Sequence, residues 1–113
     1  MKNYLVIGLG RFGTSIAQTL YEADCEVLAI DTDEELVQEA INNNVIDNAL
    51  ILDATDENAL KEVGASNFDT AFIGIGSNIQ ASIMTTINLK ELGVKKIIAK
   101  AVTKSHGKVL KKI

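Results

Sequence analysis

A run of apolar residues, Tyr4 to Ile7, leads straight into three glycines spaced Gly-x-Gly-x-x-Gly at Gly8, Gly10 and Gly13, and a helix-like pattern leaves them. No other stretch of the chain restricts its possible folds as much. At that spacing each glycine has a steric task. The first permits a tight strand-to-helix turn, and the second lets backbone N–H groups come close to a pyrophosphate. The third lets the helix lie close against its strand. The helix start then offers unpaired N–H donors and a partial positive charge to phosphate oxygens. An acidic residue, Asp31, closes a second apolar run further on, where such a fold holds a ribose. Strand, glycine turn, helix and acid together predict a nucleotide-binding turn.

The rest of the chain repeats the rhythm. Strand patterns are expected over Asn3 to Leu9, Glu26 to Ile30, Asn48 to Leu52, Thr70 to Ile75 and Lys96 to Val102. Helical patterns are expected from Arg11 to Ala23, from Thr32 to about Asn42, over Asp56 to Val63, from Asn78 to about Leu92, and from Thr103 or Ser105 to Ile113. Thr32 with Glu35 has the spacing of a capping box, and Thr55 is the expected cap of the third helix. Five β-α units with short joints predict an α/β protein: a Rossmann-like, doubly wound parallel sheet with helices on both faces. At 113 residues, this is one domain with one modest core.

Charge and cysteine usage exclude several classes. No apolar run approaches the roughly 20 residues that cross a bilayer, so no direct membrane insertion is expected. The lone Cys25 forms no internal disulfide, fits a reducing, cytoplasmic compartment, and, flanked by Asp24 and Glu26, is no nucleophile. Residues 90–113 carry eight lysines against Glu91, but no aromatics are interleaved. They are read as a solvated face with one or two phosphate contacts, not as a nucleic-acid surface. No Ser/His/Asp or Cys/His set and no metal-ligand spacing stands out.

Ligands of open α/β sheets bind beyond the carboxyl ends of the strands. The residues there are the candidates: Gly8 to Gly13, Asp31, Asp53 and Ala54, Ile75, Gly76 and Ser77, and Lys100 and Ala101. Asp31 suits both ribose hydroxyls and repels a 2′-phosphate, which argues against NADP. Arg11 sits where the helix dipole disfavours a cation, so an anion is expected nearby, from its own ligand or a neighbouring subunit's. Asp53 fits a turn or an adenine contact equally, and Gly76-Ser77-Asn78 fits a helix cap or a ribose contact equally. Lys100 is a phosphate contact or an exposed lysine. The residues alone make His106 a surface histidine.

Together these stretches resemble the RCK/KTN (TrkA-N) nucleotide-binding domain of Ktr/Trk-type potassium uptake regulatory subunits. The likeness lies in Val6 to Gly13, in Ala29-Ile30-Asp31 followed by Asp33-Glu34-Glu35, in Asp53 to Asn58, in Ile75 to Ser82, and in Lys100-Ala101 through His106 to Leu110. It covers essentially the whole chain. It implies a domain binding ATP/ADP or NAD(H) without turnover, within dimers assembled into an octameric cytoplasmic ring. That ring docks under a membrane potassium channel or transporter subunit and gates it as ligands shift its shape. Arg11 would then reach the distal phosphates of its own ligand or one across a subunit interface, Asp31 would hold the ribose, and Gly8, Gly10, Phe12, Gly13, Thr32 and Asp33 would belong to the same binding set. Asp53, Ala54, Ile75, Gly76 and Ser77 would line base and sugar, and Lys100, Ala101 and His106 would approach the ligand. Members of the family continue past Ile113 with a sixth strand, a crossover helix and a C-terminal domain, so residues 1–113 are expected to correspond to the N-terminal domain. Two other readings stand beside this one: the NAD-binding half of an oxidoreductase, and an assembly module indifferent to nucleotides.

Overall fold

The structure is a computed structural model that describes residues 2–76, 78–101 and 103–113. The site expectation at Ser77, and the end of the last expected strand at Val102, lie outside the described residues. Ten main elements alternate strictly: β1 Asn3–Ile7, α1 Arg11–Glu22, β2 Glu26–Asp31, α2 Glu34–Asn42, β3 Asn48–Ile51, α3 Glu57–Glu62, β4 Thr70–Ile73, α4 Ile79–Glu91, β5 Lys96–Ala99 and α5 Lys104–Lys112. The strands form one parallel sheet in the order β3-β2-β1-β4-β5, the doubly wound arrangement expected. Its order reverses between β1 and β4, which places the ligand crevice beyond the ends of those two strands.

Each face of the sheet has its own core because successive strand residues point to opposite sides. On one face Val6, Val27 and Ala29 pack with Ala17 of α1 and with Val37 and Ala40 of α2. On the other, Leu5, Ile7, Ile30, Ala71 and Ile73 pack with Leu60 of α3 and Leu89 of α4. Both sides of β1 are therefore covered, which is why its sequence is apolar without alternation. Burying a leucine such as Leu60 or Leu89 contributes about 1.5–3 kcal/mol.

β1 and β4 end earlier than the apolar runs suggest. Gly8 N–H still bonds Ile30 O at 2.8 Å and Gly74 N–H bonds Ile7 O at 2.7 Å, but Gly8 then turns out of the sheet with φ +98°. The helix caps shift by one residue. Asp33, not Thr32, caps α2, accepting from Glu35 N–H at 2.9 Å and from Leu36 N–H at 3.4 Å. Asp56, not Thr55, caps α3, accepting from Asn58 N–H at 3.0 Å and from Ala59 N–H at 3.4 Å, while Thr55 belongs to the β3 exit, its hydroxyl donating to Asp53 at 2.7 Å. Asn78 caps α4 and Thr103 caps α5, and Gly64 and Gly93 follow the ends of α3 and α4 with φ of +72° and +89°.

Candidate functional site

A cleft of about 410 Å³ opens beyond the carboxyl edge of the sheet, at the reversal in strand order. The glycine turn (Gly8, Gly10), the β2 exit (Asp31 to Asp33), the β3 exit (Leu52 to Thr55) and the β4 exit (Gly74 to Gly76) all line it. Asn78, Ala81 and Thr85 of the α4 side close it.

Two of the three glycines of the turn are fixed by the protein itself. A Cβ on Gly13 would lie 1.6 Å from Gly8 O, so α1 rests directly on the turn's backbone. Gly8 has positive φ, and a Cβ there would come within 3.1 Å of the Gly74 carbonyl carbon. Gly10 is different. A Cβ on it would meet nothing within 4 Å, and its φ of −73° and ψ of −164° suit any residue. It also leaves α1 without a side-chain cap, whereas α2, α3, α4 and α5 each have one. The first-turn N–H groups of α1, with the positive end of its dipole, are thus unclaimed by any capping side chain.

Asp31 ends β2 beside that turn. One carboxylate oxygen accepts Leu9 N–H at 2.7 Å and the other accepts Asp33 N–H at 2.9 Å. It therefore ties the glycine turn to the start of α2, a structural task that the sequence pattern did not disclose. Each oxygen retains a lone pair for a further donor. Asp53 is held by Thr55, whose hydroxyl and N–H both donate to its Oδ1, at 2.7 and 2.9 Å. Those two bonds hold its carboxyl below the usual aspartate range. Among the described residues no group of His, Cys, Asp and Glu is arranged to hold a metal ion.

The cleft gathers Gly8, Gly10, Asp31, Thr32, Asp33, Asp53, Ala54, Ile75 and Gly76 of the expected set. Arg11, Phe12, Gly13, Lys100, Ala101 and His106 are not in its lining. Arg11 is exposed at the start of α1, and among the described residues its side chain has no partner. Lys100 places its ammonium 5.7 Å from the Phe12 ring centroid, joining the β5 exit to α1. Ala101 lines a separate groove between β5, α4 and α5. His106 is not a surface residue: it is only 2% exposed, and its Nε2 lies 3.0 Å from Ser82 Oγ on α4. The lone histidine of a lysine-rich helix gave no hint of this, because its partner lies 24 residues earlier.

α4 carries what the sequence reading passed over. Ser82, Thr85, Thr86 and Asn88 are all buried. The Asn88 amide donates to the carbonyls of Ala54 and Thr55, at 3.2 and 2.9 Å, and so pins the β3 exit to this helix. The available signal was four small polar residues at one-turn spacings within an otherwise long, apolar helix.

A five-stranded parallel sheet reversing at β1 and β4, with a glycine turn on one side of the reversal and an acid ending β2, is the framework of the Rossmann-type nucleotide folds. Within that class the TrkA-N domain model matches residues 4–113, and the chain belongs to this family. It is 52% identical over 112 residues to Ktr system potassium uptake protein C of Bacillus subtilis, a match covering 99% of this chain and 50% of that protein. The chain thus spans about half the length of the curated relatives it matches. Among solved structures, the NAD(P)-binding domain of an exopolyphosphatase-related protein from Archaeoglobus fulgidus superposes with a TM-score of 0.84 at 21% identity, covering 99% of this chain and 82% of that one. The GsuK channel bound to NAD superposes with a TM-score of 0.86 at 12% identity, covering 98% of this chain and 20% of that one. At those identities the two structures share the fold.

Proposed function

We propose that this chain is the nucleotide-sensing domain of a potassium uptake system, binding an adenine nucleotide (ATP/ADP or NAD(H)) without turning it over. Gly10 carries the reading. Neither its conformation nor its packing asks for glycine, so the space before it is kept for something that enters the cleft. Phosphates would lie against Gly8, Gly10 and the uncapped start of α1. The ribose would bond Asp31, with Thr32 and Asp33 beside it. The base would lie between the β3 exit at Asp53 and Ala54 and the β4 exit at Ile75, Gly76 and Ser77.

Arg11, exposed at the rim, would reach distal phosphates or those held by a neighbouring subunit. Phe12, Gly13, Lys100, Ala101 and His106 enter through the elements they hold in place. The potassium context rests on likeness to the Ktr protein and on the TrkA-N family. In that context the domain works in a cytoplasmic homo-oligomeric ring beneath a membrane transporter subunit. Ligands that bind two ring shapes unequally shift the balance between them.

Melting curves with ATP, ADP, NAD, NADH and NADPH test this. A nucleotide at about a hundred times its dissociation constant adds roughly 2.7 kcal/mol. ATP, ADP or NADH is expected to raise the melting temperature, and Gly10→Ala is expected to abolish the rise. NADPH is expected to act weakly, since Asp31 repels its 2′-phosphate. A flat response to all five would remove the nucleotide reading. Hydride transfer to a bound nicotinamide would instead favour the oxidoreductase reading.

A further inference from the structure

α5 has a slender hold on the rest of the molecule. His106 is its one buried residue, and the ring Nε2 lies 3.0 Å from Ser82 Oγ near the start of α4. At the other end the Lys90 ammonium, near the end of α4, donates to Ile113 O at 2.7 Å. Between these two pins runs an open groove of about 450 Å³, with β5 and α4 on one side and Leu110 and Lys111 of α5 on the other. A nine-residue helix is marginal by itself, so α5 keeps its shape by being seated on α4.

The adjoining side of α4 faces the cleft. Asn78, its cap, and Ala81 line the cleft, and the Asn88 amide donates to the carbonyls of Ala54 and Thr55 at the β3 exit, at 3.2 and 2.9 Å. At about 3.6 residues per turn these three share one side of the helix. Ser82, Thr86 and Lys90 share the side next to it, toward α5. One helix thus has the cleft on one flank and α5 on the other, while no described residue of α5 lines the cleft. A nucleotide lying between the β3 exit and Ala81 touches both walls, and binds more tightly where α4 is drawn against the β3 exit. Its binding therefore favours that seating of α4, and of α5 with it. We infer that α5 is the readout element of the cleft, coupled to the ligand through α4 and not by contact with it. This rests on the nucleotide reading above and adds the route by which occupancy leaves the site.

Hydrogen exchange of the whole chain, with and without saturating ATP, ADP or NADH, tests this. Without ligand the amides of Lys104–Lys112 are expected to exchange faster than those of the strands, and nucleotide to slow them by about fivefold or more. Lys90→Met releases the end of α5 and changes no residue of the cleft lining. Because coupling is reciprocal, it is expected to speed α5 exchange and to weaken ATP binding by about threefold. Lys95→Met removes the same charge from the same groove but no bond to α5, and is expected to leave ATP affinity within about twofold of wild type. Slower exchange at the glycine turn and the β3 exit with α5 unchanged would overturn the assignment. So would α5 amides that already exchange as slowly as the strands, since α5 would then open only with the whole domain. An ATP affinity unmoved by Lys90→Met, or lowered equally by Lys95→Met, would overturn it as well. A chain in which no nucleotide protects any segment would remove the nucleotide reading and this assignment together; protection confined to the cleft would remove this assignment alone.

Discussion

The carboxylate of Asp31 accepts the backbone N–H of Leu9 at 2.7 Å, across the gap between the glycine turn and the end of β2. With its second bond to Asp33 N–H, the residue braces the cleft as well as facing it. Asp31→Ala is therefore expected to lower the stability of the ligand-free protein by about 2 kcal/mol, in the range of charged hydrogen bonds, as well as to weaken nucleotide binding. Urea unfolding without ligand checks this. Unchanged stability would make Asp31 a ligand contact only.

The glycines of the turn separate fold from ligand. Gly13→Ala drives a methyl into Gly8 O and is expected to cost about 3 kcal/mol or more, or to prevent folding. Gly10→Ala meets no protein atom and is expected to change stability by less than about 1 kcal/mol, mainly through poorer capping. Comparing their unfolding midpoints tests the contrast. An equally damaged Gly10→Ala would show that the turn needs glycine there for its own sake.

Glu57, at the start of α3, is hydrogen-bonded to the carboxylate of Glu91 at the end of α4, and that bond, with the like charge, raises its pKa above 4.5. The folded state thus holds this proton more tightly than the unfolded chain. The stabilisation is complete below pH 4.5 and is lost as pH rises through the higher folded value. In Glu91→Gln the Glu57 titration, followed by carboxyl NMR, is expected to move down toward 4.5, and this part of the pH dependence to flatten. A Glu57 titration unmoved by that change would contradict the pairing.

Ser82→Ala removes the hydroxyl 3.0 Å from His106 Nε2 at the α4–α5 contact. Losing a buried bond of this kind is expected to cost about 1–3 kcal/mol. Faster amide exchange should concentrate in α5, Lys104–Lys112, with the sheet strands little changed. Uniform acceleration across the sheet would instead mean that α5 unfolds only with the whole domain.

The parts of this fold that were legible in the sequence are those whose signal is local. The apolar run before Gly8, the spacing to Gly13 and the five alternations each depend on neighbours within a few residues, and the sheet and its reversal follow from them. The cap positions slipped by one because each threonine is followed by an aspartate, Asp33 or Asp56, that is an equally good cap, and only the backbone geometry decides between two adjacent capping residues. The burial of His106 and the polar stripe of α4 depend on partners brought together only by the crossovers, so a lysine-rich helix hid a core histidine. Lys100 is of the same kind: it stands over Phe12 of α1, a neighbour 88 positions away, not in the cleft.

Because Gly13 meets Gly8 backbone to backbone, no side chain lies between helix and turn to shrink or swell in compensation for a change. Adaptation at this site has two very different levels of freedom. The packed turn at Gly8, Gly13 and Gly74 tolerates almost no variation, while the walls at residues 32–33, 52–55, 75, 76 and 78 consist of side chains and loops that substitution can reshape. On the proposed nucleotide reading, a lineage in need of a new signal molecule would exchange the sugar or base and keep the pyrophosphate.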